Sequence, residues 1–175
     1  MASITVAAIA GVPALFKNLY PCWKIFACFL IVEVVVECVA FYLSFHHTEN
    51  QYLYNWLAFF EAPVKMFLFY TYTDGTRLKK TVGITIIAYI LFSVINDCYI
   101  QPDINRLQTN IIIIGGLLMM VLAILHYAYI YYSDKVDRIT ADPVFWIATN
   151  VLITSAPMLP FYGMLNYLVD NYRDF

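Results

Sequence analysis

Four ionisable side chains lie inside otherwise apolar stretches of the sequence. Glu33 and Glu37 are spaced i,i+4, and so are Glu61 and Lys65, so in helices each pair projects from one face. A charge at the bilayer centre costs roughly 2.5–3.5 kcal/mol on insertion scales and should therefore face a partner or a site. These four residues are candidates for a ligand or ion site, with a neutralised polar clasp between helices as the alternative.

A second set of polar residues is a weaker site candidate. Its members are Asn55, Asn96, Asp97, Asn150 and Asn166. Most of them lie near the ends of the apolar stretches, where water is close, and this position favours a structural or interfacial role.

No sequence motif indicates catalysis, a cofactor or a metal. The chain has no Walker loop, GxSxG, HExxH or dinucleotide fingerprint. His46, His47 and Glu49 are weak evidence for metal binding because they share one exposed loop, so no metal site is predicted. The four cysteines form no CxxC pair and are predicted to be buried apolar residues.

The composition indicates that lipid surrounds the elements that carry these residues. Of the 175 residues, 62% are hydrophobic and 13% are charged, whereas soluble domains carry about 25% charged residues. A chain of this length cannot hide so much apolar surface from water. The sequence therefore predicts an all-α membrane bundle that forms one domain over residues 1–175.

The spans follow from the apolar stretches, because a spanning helix needs roughly 20 mostly apolar residues. The stretch 2–16 is short for a span and contains Pro13. It is nevertheless interpreted as a first span, because no Lys or Arg precedes it as in a signal peptide. Six transmembrane helices are predicted in all: residues 2–16, 24–45, 51–72, 81–100, 109–132 and 143–169.

The positive charges predict the orientation of these spans. One side of the membrane receives Lys17, Lys24, Arg77, Lys79, Lys80, Lys135 and Arg138, and the other receives Arg106 and Arg173. Loops 73–80 and 133–142 are therefore predicted to be cytoplasmic, with the C-terminus outside.

Four segments of the chain read LIVEVVVECVAFYLS, LYNWLAFFE, LFSVINDCYIQPDIN and DPVFWIATNVLITSAPMLPFYGML. In these segments the chain resembles a family of small, functionally uncharacterised multi-pass proteins of Bacteroidetes. The resemblance covers about residues 30 to 165 and departs at Lys65 and Asp97. It implies a bacterial inner membrane and six or seven helices, but no activity.

The function that these observations favour is a non-enzymatic module. It would sense or bind a small-molecule or lipid ligand at the mid-membrane acidic site, with no cofactor and no nucleic-acid partner. Partners other than the bilayer would be a second copy of the chain or a membrane or cytoplasmic protein.

Two other functional classes remain open. An ion channel or transporter component, either an oligomeric pore or a vitamin-capture subunit, would need a polar path such as one through Asn55, Glu61, Glu33 and Asn150. An intramembrane enzyme is the third alternative, although the acidic pair lies at mid-depth without an evident chemical partner.

Overall fold

The computed structural model describes residues 9, 21–46, 48, 50–73, 76–103, 106–132 and 143–172, with only the backbone for some residues at the helix ends. Every regular element in this part of the chain is helical. The helices are α1 (Pro21–Phe45), α2 (Gln51–Tyr72), α3 (Thr76–Ile95), α4 (Thr109–Tyr132) and α5 (Pro143–Tyr172). A π-helical turn, Asn96–Ile100, continues α3.

Four stretches are long and apolar enough to cross a membrane: Trp23–Phe45, Arg77–Ile100, Thr109–Tyr132 and Val144–Leu165. A multi-pass helical membrane protein is thereby supported. The helix predicted over residues 81–100 begins earlier, at Thr76, and the last one continues to Tyr172. Helix α2, predicted as the span 51–72, is not among these four, and the predicted first span lies outside the described residues except for Ile9. The count of six spans therefore stays a prediction.

Helix α2 is less apolar than those four stretches and is the central helix of the described bundle. It packs against each of the other four helices. Its buried side chains are Asn55, Ala62, Met66, Leu68 and Phe69. The other helices bury one side of α2, while Trp56, Phe60 and part of Glu61 stay exposed, so α2 depends less on hydropathy than a helix that stands alone in the bilayer.

Contacts at the helix ends show that consecutive described helices run in opposite directions. At one end, the Trp23 indole of α1 donates to the Tyr72 hydroxyl of α2. At the same end, the Lys79 ammonium of α3 lies 4.9 Å from the centre of the Tyr70 ring. We call this the basic end because Lys24, Arg77, Lys79 and Lys80 lie there.

Small residues allow the helices to approach closely at the centre. A Cβ atom added at Gly115 of α4 would lie 3.1 Å from the Tyr89 ring of α3 and 3.2 Å from the Ala62 Cβ of α2. The Tyr89 hydroxyl donates to the Ala58 carbonyl at 3.0 Å. On the other face of α4, the hydroxyls of Tyr127 and Thr149 lie 2.6 Å apart and join α4 to α5.

The outer surface of the bundle is apolar. Large side chains such as Phe41, Ile87 and Ile153 are more than half exposed. In water a surface of this kind would drive aggregation, whereas acyl chains are a suitable solvent for it. Cys28, Cys38 and Cys98 are also exposed on it, so the prediction that they are buried was wrong. A thiol is only weakly polar and can therefore face lipid.

Candidate functional site

An ion pair on α2 is the centre of the candidate site. The Lys65 ammonium contacts the Glu61 carboxylate one turn away, with Pro63 between them inside the helix. About a quarter of the Lys65 side chain (27%) and over a third of that of Glu61 (37%) are accessible. The pair is therefore not enclosed in the core and can be reached from outside the bundle.

One carboxylate of α1 faces this pair, and a second lies one helical turn further along α1. Glu33 interacts electrostatically with Glu61, Lys65 and Glu37, and it is partly buried. The structure thus brings Glu33 next to Glu61 and Lys65, with Glu37 beside Glu33 on α1. The short turn between α1 and α2 makes this possible, and the Asn50 amide fastens that turn by donating to the Ala40 carbonyl at 2.9 Å.

Two tyrosines that sequence reasoning missed extend the site. Tyr162 of α5 lies close enough to Glu61 and Glu37 to interact with both, and Tyr54 of α2 interacts with Glu37 and Tyr162. Their hydroxyls can donate to the carboxylates. Tyrosines are common at membrane interfaces, so the sequence offered little reason to select these two.

The site opens sideways between α1 and α5. Both helices contact α2, but they have little direct contact with each other. A cavity of about 200 Å³ lies between them and is lined by Phe26, Lys65, Trp146, Ile147, Asn150 and Val151. Lys65 is the charged residue that lines this cavity, and its ion pair connects the cavity to the acidic residues. We call the cavity, together with the neighbouring Glu33, Glu37, Glu61, Tyr54 and Tyr162, the lateral groove.

A separate polar cluster lies at the end of the bundle away from the basic end. The Asn55 amide donates to the Arg106 carbonyl at 2.9 Å, and its oxygen accepts from the Gln108 backbone N–H at 2.9 Å. The Asn110 amide donates to the Asn96 oxygen at 3.2 Å, and the Gln108 side chain, which donates to the Gln101 carbonyl at 3.4 Å, lies beside Asp97. These bonds hold the 101–108 loop to α2 and α3.

The second candidate set is therefore divided by the structure. Asn55, Asn96 and Asp97 share the polar cluster, whereas Asn150 lines the cavity beside Lys65. The side chain of Asn166 lies outside the described part. The sequence analysis missed Gln101, Gln108 and Asn110, and their concentration in one short polar loop was the available signal.

Comparisons with family models, curated proteins and solved structures find no match to the chain. The resemblance to a Bacteroidetes family therefore stays a prediction, and what the protein does must be argued from its own residues.

A metal site is not indicated among the described residues. No group of three His, Cys, Asp or Glu side chains there is arranged to hold a metal ion. His47 and Glu49 lie outside the described residues, and the His46 ring contacts the Tyr42 ring with centres 4.5 Å apart and planes tilted by 58°. Among the described residues, the lateral groove is the arrangement best suited to bind a ligand, because its acidic residues lie next to an apolar cavity.

Proposed function

We propose that this protein is a non-enzymatic binding module of the membrane, whose lateral groove holds a small or lipidic molecule with a positive charge. The observation that carries this proposal is the accessible Glu61–Lys65 pair in a groove with two further carboxylates. Three acidic groups against one lysine leave negative charge that a cationic ligand would neutralise.

The accessibility of the pair argues against a purely structural clasp. The ion pairs found in the described part are Glu61–Lys65 and Arg106–Asp103. Glu33 and Glu37 thus have no basic partner of their own there. Charges that face acyl chains without compensation are expensive, so a polar molecule that enters from the side would stabilise the groove.

The lining of the groove indicates an amphiphile. Phe26, Trp146, Ile147 and Val151 give the cavity apolar walls next to the charged residues. An alkyl chain can occupy such a cavity while an ammonium group contacts the carboxylates. The tyrosine rings add a favourable surface for a cation.

The alternatives receive less support from the described residues. A transport path through Asn55 would have to break the two hydrogen bonds by which its buried amide holds the loop. An enzyme would need a nucleophile or an acid–base pair near a substrate position, and the sequence offers no such motif.

The proposal extends to location and partners. We propose a bacterial inner membrane with the basic end in the cytoplasm, supported by the charge bias and the family resemblance. The basic segment 77–80 would meet a protein partner there, although anionic lipid headgroups alone would also attract it.

Quenching of tryptophan fluorescence tests the proposed ligand class, because Trp146 lines the cavity. The probe is a bromine-labelled long-chain primary amine, compared with the alcohol of the same chain length. We expect saturable quenching by the amine, which Trp146→Phe removes. Glu33→Gln and Glu61→Gln should each weaken amine binding about tenfold, as expected for a lost charge-assisted contact of roughly 1.4 kcal/mol.

Asp103→Asn is the matched control, since it removes an acidic group that is exposed in the loop. Equal quenching by amine and alcohol, unaffected by either glutamine variant, would contradict the proposal. Ion flux through the parent protein in proteoliposomes that Glu33→Gln and Glu61→Gln abolish would instead establish a channel or transporter.

A further inference from the structure

Two buried oxygen atoms on α3 have unmet hydrogen-bonding capacity. Ser93 is fully buried, and its hydroxyl has no hydrogen-bond partner within the geometric limits of a hydrogen bond. Asp97 follows one turn later, and its Oδ1 atom is also buried without a partner. The i,i+4 spacing places both on the same side of the helix. Buried polar atoms are rarely left unsatisfied, so two such oxygens on one side of the helix indicate a position that can bind a ligand.

The surrounding groups offer oxygen atoms and no basic side chain. The Gln108 side-chain amide lies beside Asp97, and the fully buried Asn96 lies between Ser93 and Asp97 in the sequence. The Tyr89 hydroxyl, one turn before Ser93, lies beside the Ser93 hydroxyl and donates its own hydrogen bond to the Ala58 carbonyl. Of the two ion pairs found in the described part, Glu61–Lys65 lies elsewhere, and Arg106–Asp103 lies in the 101–108 loop with more than half of each side chain accessible.

The position of Asp97 increases the need for positive charge. Asp97 lies in the π-helical turn Asn96–Ile100, which ends the α3 helix. The carbonyl groups at a helix C-terminus carry partial negative charge, so a carboxylate there is unfavourable unless a cation accompanies it. π-helical turns also occur frequently at functional sites.

We propose that Ser93 and Asp97 bind a monovalent cation between α3 and the 101–108 loop. One carboxylate with neutral hydroxyl and amide oxygens supplies a single negative charge, which suits Na⁺ or K⁺ better than a divalent ion. The cation would satisfy both buried oxygens and would stabilise the polar cluster that joins the loop to α2. This site is separate from the lateral groove and does not depend on the function proposed for it.

Thermal unfolding of the purified full-length chain in detergent tests the site. At one pH and one ionic strength, choline chloride is replaced stepwise by NaCl or KCl. We expect a saturable rise of about 5 °C in Tm with at least one of the two ions, because a ligand that binds only the folded state stabilises it. Asp97→Asn, which keeps an oxygen for Gln108, should fold and lose the ion dependence. Ser93→Ala should shift the midpoint to higher ion concentration.

Asp103→Asn is the control and should respond to the ion as the parent does. A Tm that is the same in choline, sodium and potassium would overturn the proposal. It would also be overturned if Asp97→Asn kept the full response. A Tm that varies with pH but not with sodium or potassium would show that a proton, rather than a cation, neutralises Asp97.

Discussion

At the scale of single residues, acidic side chains outnumber basic ones in the lateral groove. Lys65 is the one basic residue among the four ionisable residues first identified, and it already contacts Glu61 on its own helix. The carboxylates of α1 therefore depend on the same cation or on a ligand. Removing the lysine would leave three acidic groups in a region of low dielectric.

Lys65→Met should consequently lower the stability of the protein. We expect a loss of about 1–3 kcal/mol, between the value for an exposed ion pair and that for a buried one. The double variant Glu61→Gln, Lys65→Met should recover part of the loss, because it removes one of the stranded carboxylates. Thermal unfolding in detergent measures both changes.

The control for this prediction is the exposed pair at the loop. The Arg106 Nε and Asp103 Oδ2 atoms lie 3.8 Å apart, and more than half of each side chain is accessible. Asp103→Asn should therefore change Tm very little. A Lys65→Met variant as stable as the parent would mean that the lysine points into water or headgroups and contributes no ion pair to the fold.

At the scale of helices, the bundle depends on α2 and on the small residues that surround it. Ala62 and Gly115 allow α2 and α4 to approach each other beside the Tyr89 ring. Close backbone approach through small residues is a main source of stability between membrane helices, because lipid provides no hydrophobic force between them.

Gly115→Ala tests this contact. The new Cβ would meet the Tyr89 ring at 3.1 Å and the Ala62 Cβ at 3.2 Å, so the helices must separate or the ring must move. We expect a destabilisation of about 1–3 kcal/mol, as for other overpacked cores. Gly163→Ala is the matched control, since no atom lies within 4 Å of its added Cβ, and it should be neutral or slightly stabilising. Equal stability of both variants would show that α4 does not depend on this contact.

At the scale of the whole molecule, the charge distribution separates the two ends of the bundle. The described basic end carries Lys24, Arg77, Lys79 and Lys80, whereas Arg106 lies at the other end. Positive loops remain in the cytoplasm during insertion, so this asymmetry predicts the orientation.

Labelling with a thiol reagent that cannot cross the membrane tests that orientation. The native cysteines Cys22, Cys28, Cys38 and Cys98 are first replaced, because those described in full are exposed. A cysteine at Thr48 should then react in intact cells, and one at Thr76 or Asp137 only after permeabilisation. The reverse pattern would contradict the predicted orientation.

The sequence by itself determined the local features of this protein. Apolar stretches of spanning length predicted the helices, and the bounds of α2 and α4 agree with those predicted. The i,i+4 spacing within α1 and α2 placed each pair of charges on one face, because that relation depends only on the helical repeat.

Only the tertiary structure decided how these faces are used. Three features join residues that are distant in sequence. They are the groove between α1 and α5, the approach of Tyr162 to the acidic groups, and the hydrogen bond between Asn55 and the 101–108 loop. Such contacts depend on which helices are neighbours and on how each is rotated. In a chain that is apolar on nearly every face, hydrophobic periodicity does not specify that rotation. Small residues and the few polar contacts specify it instead, and these become visible only when the helices are packed.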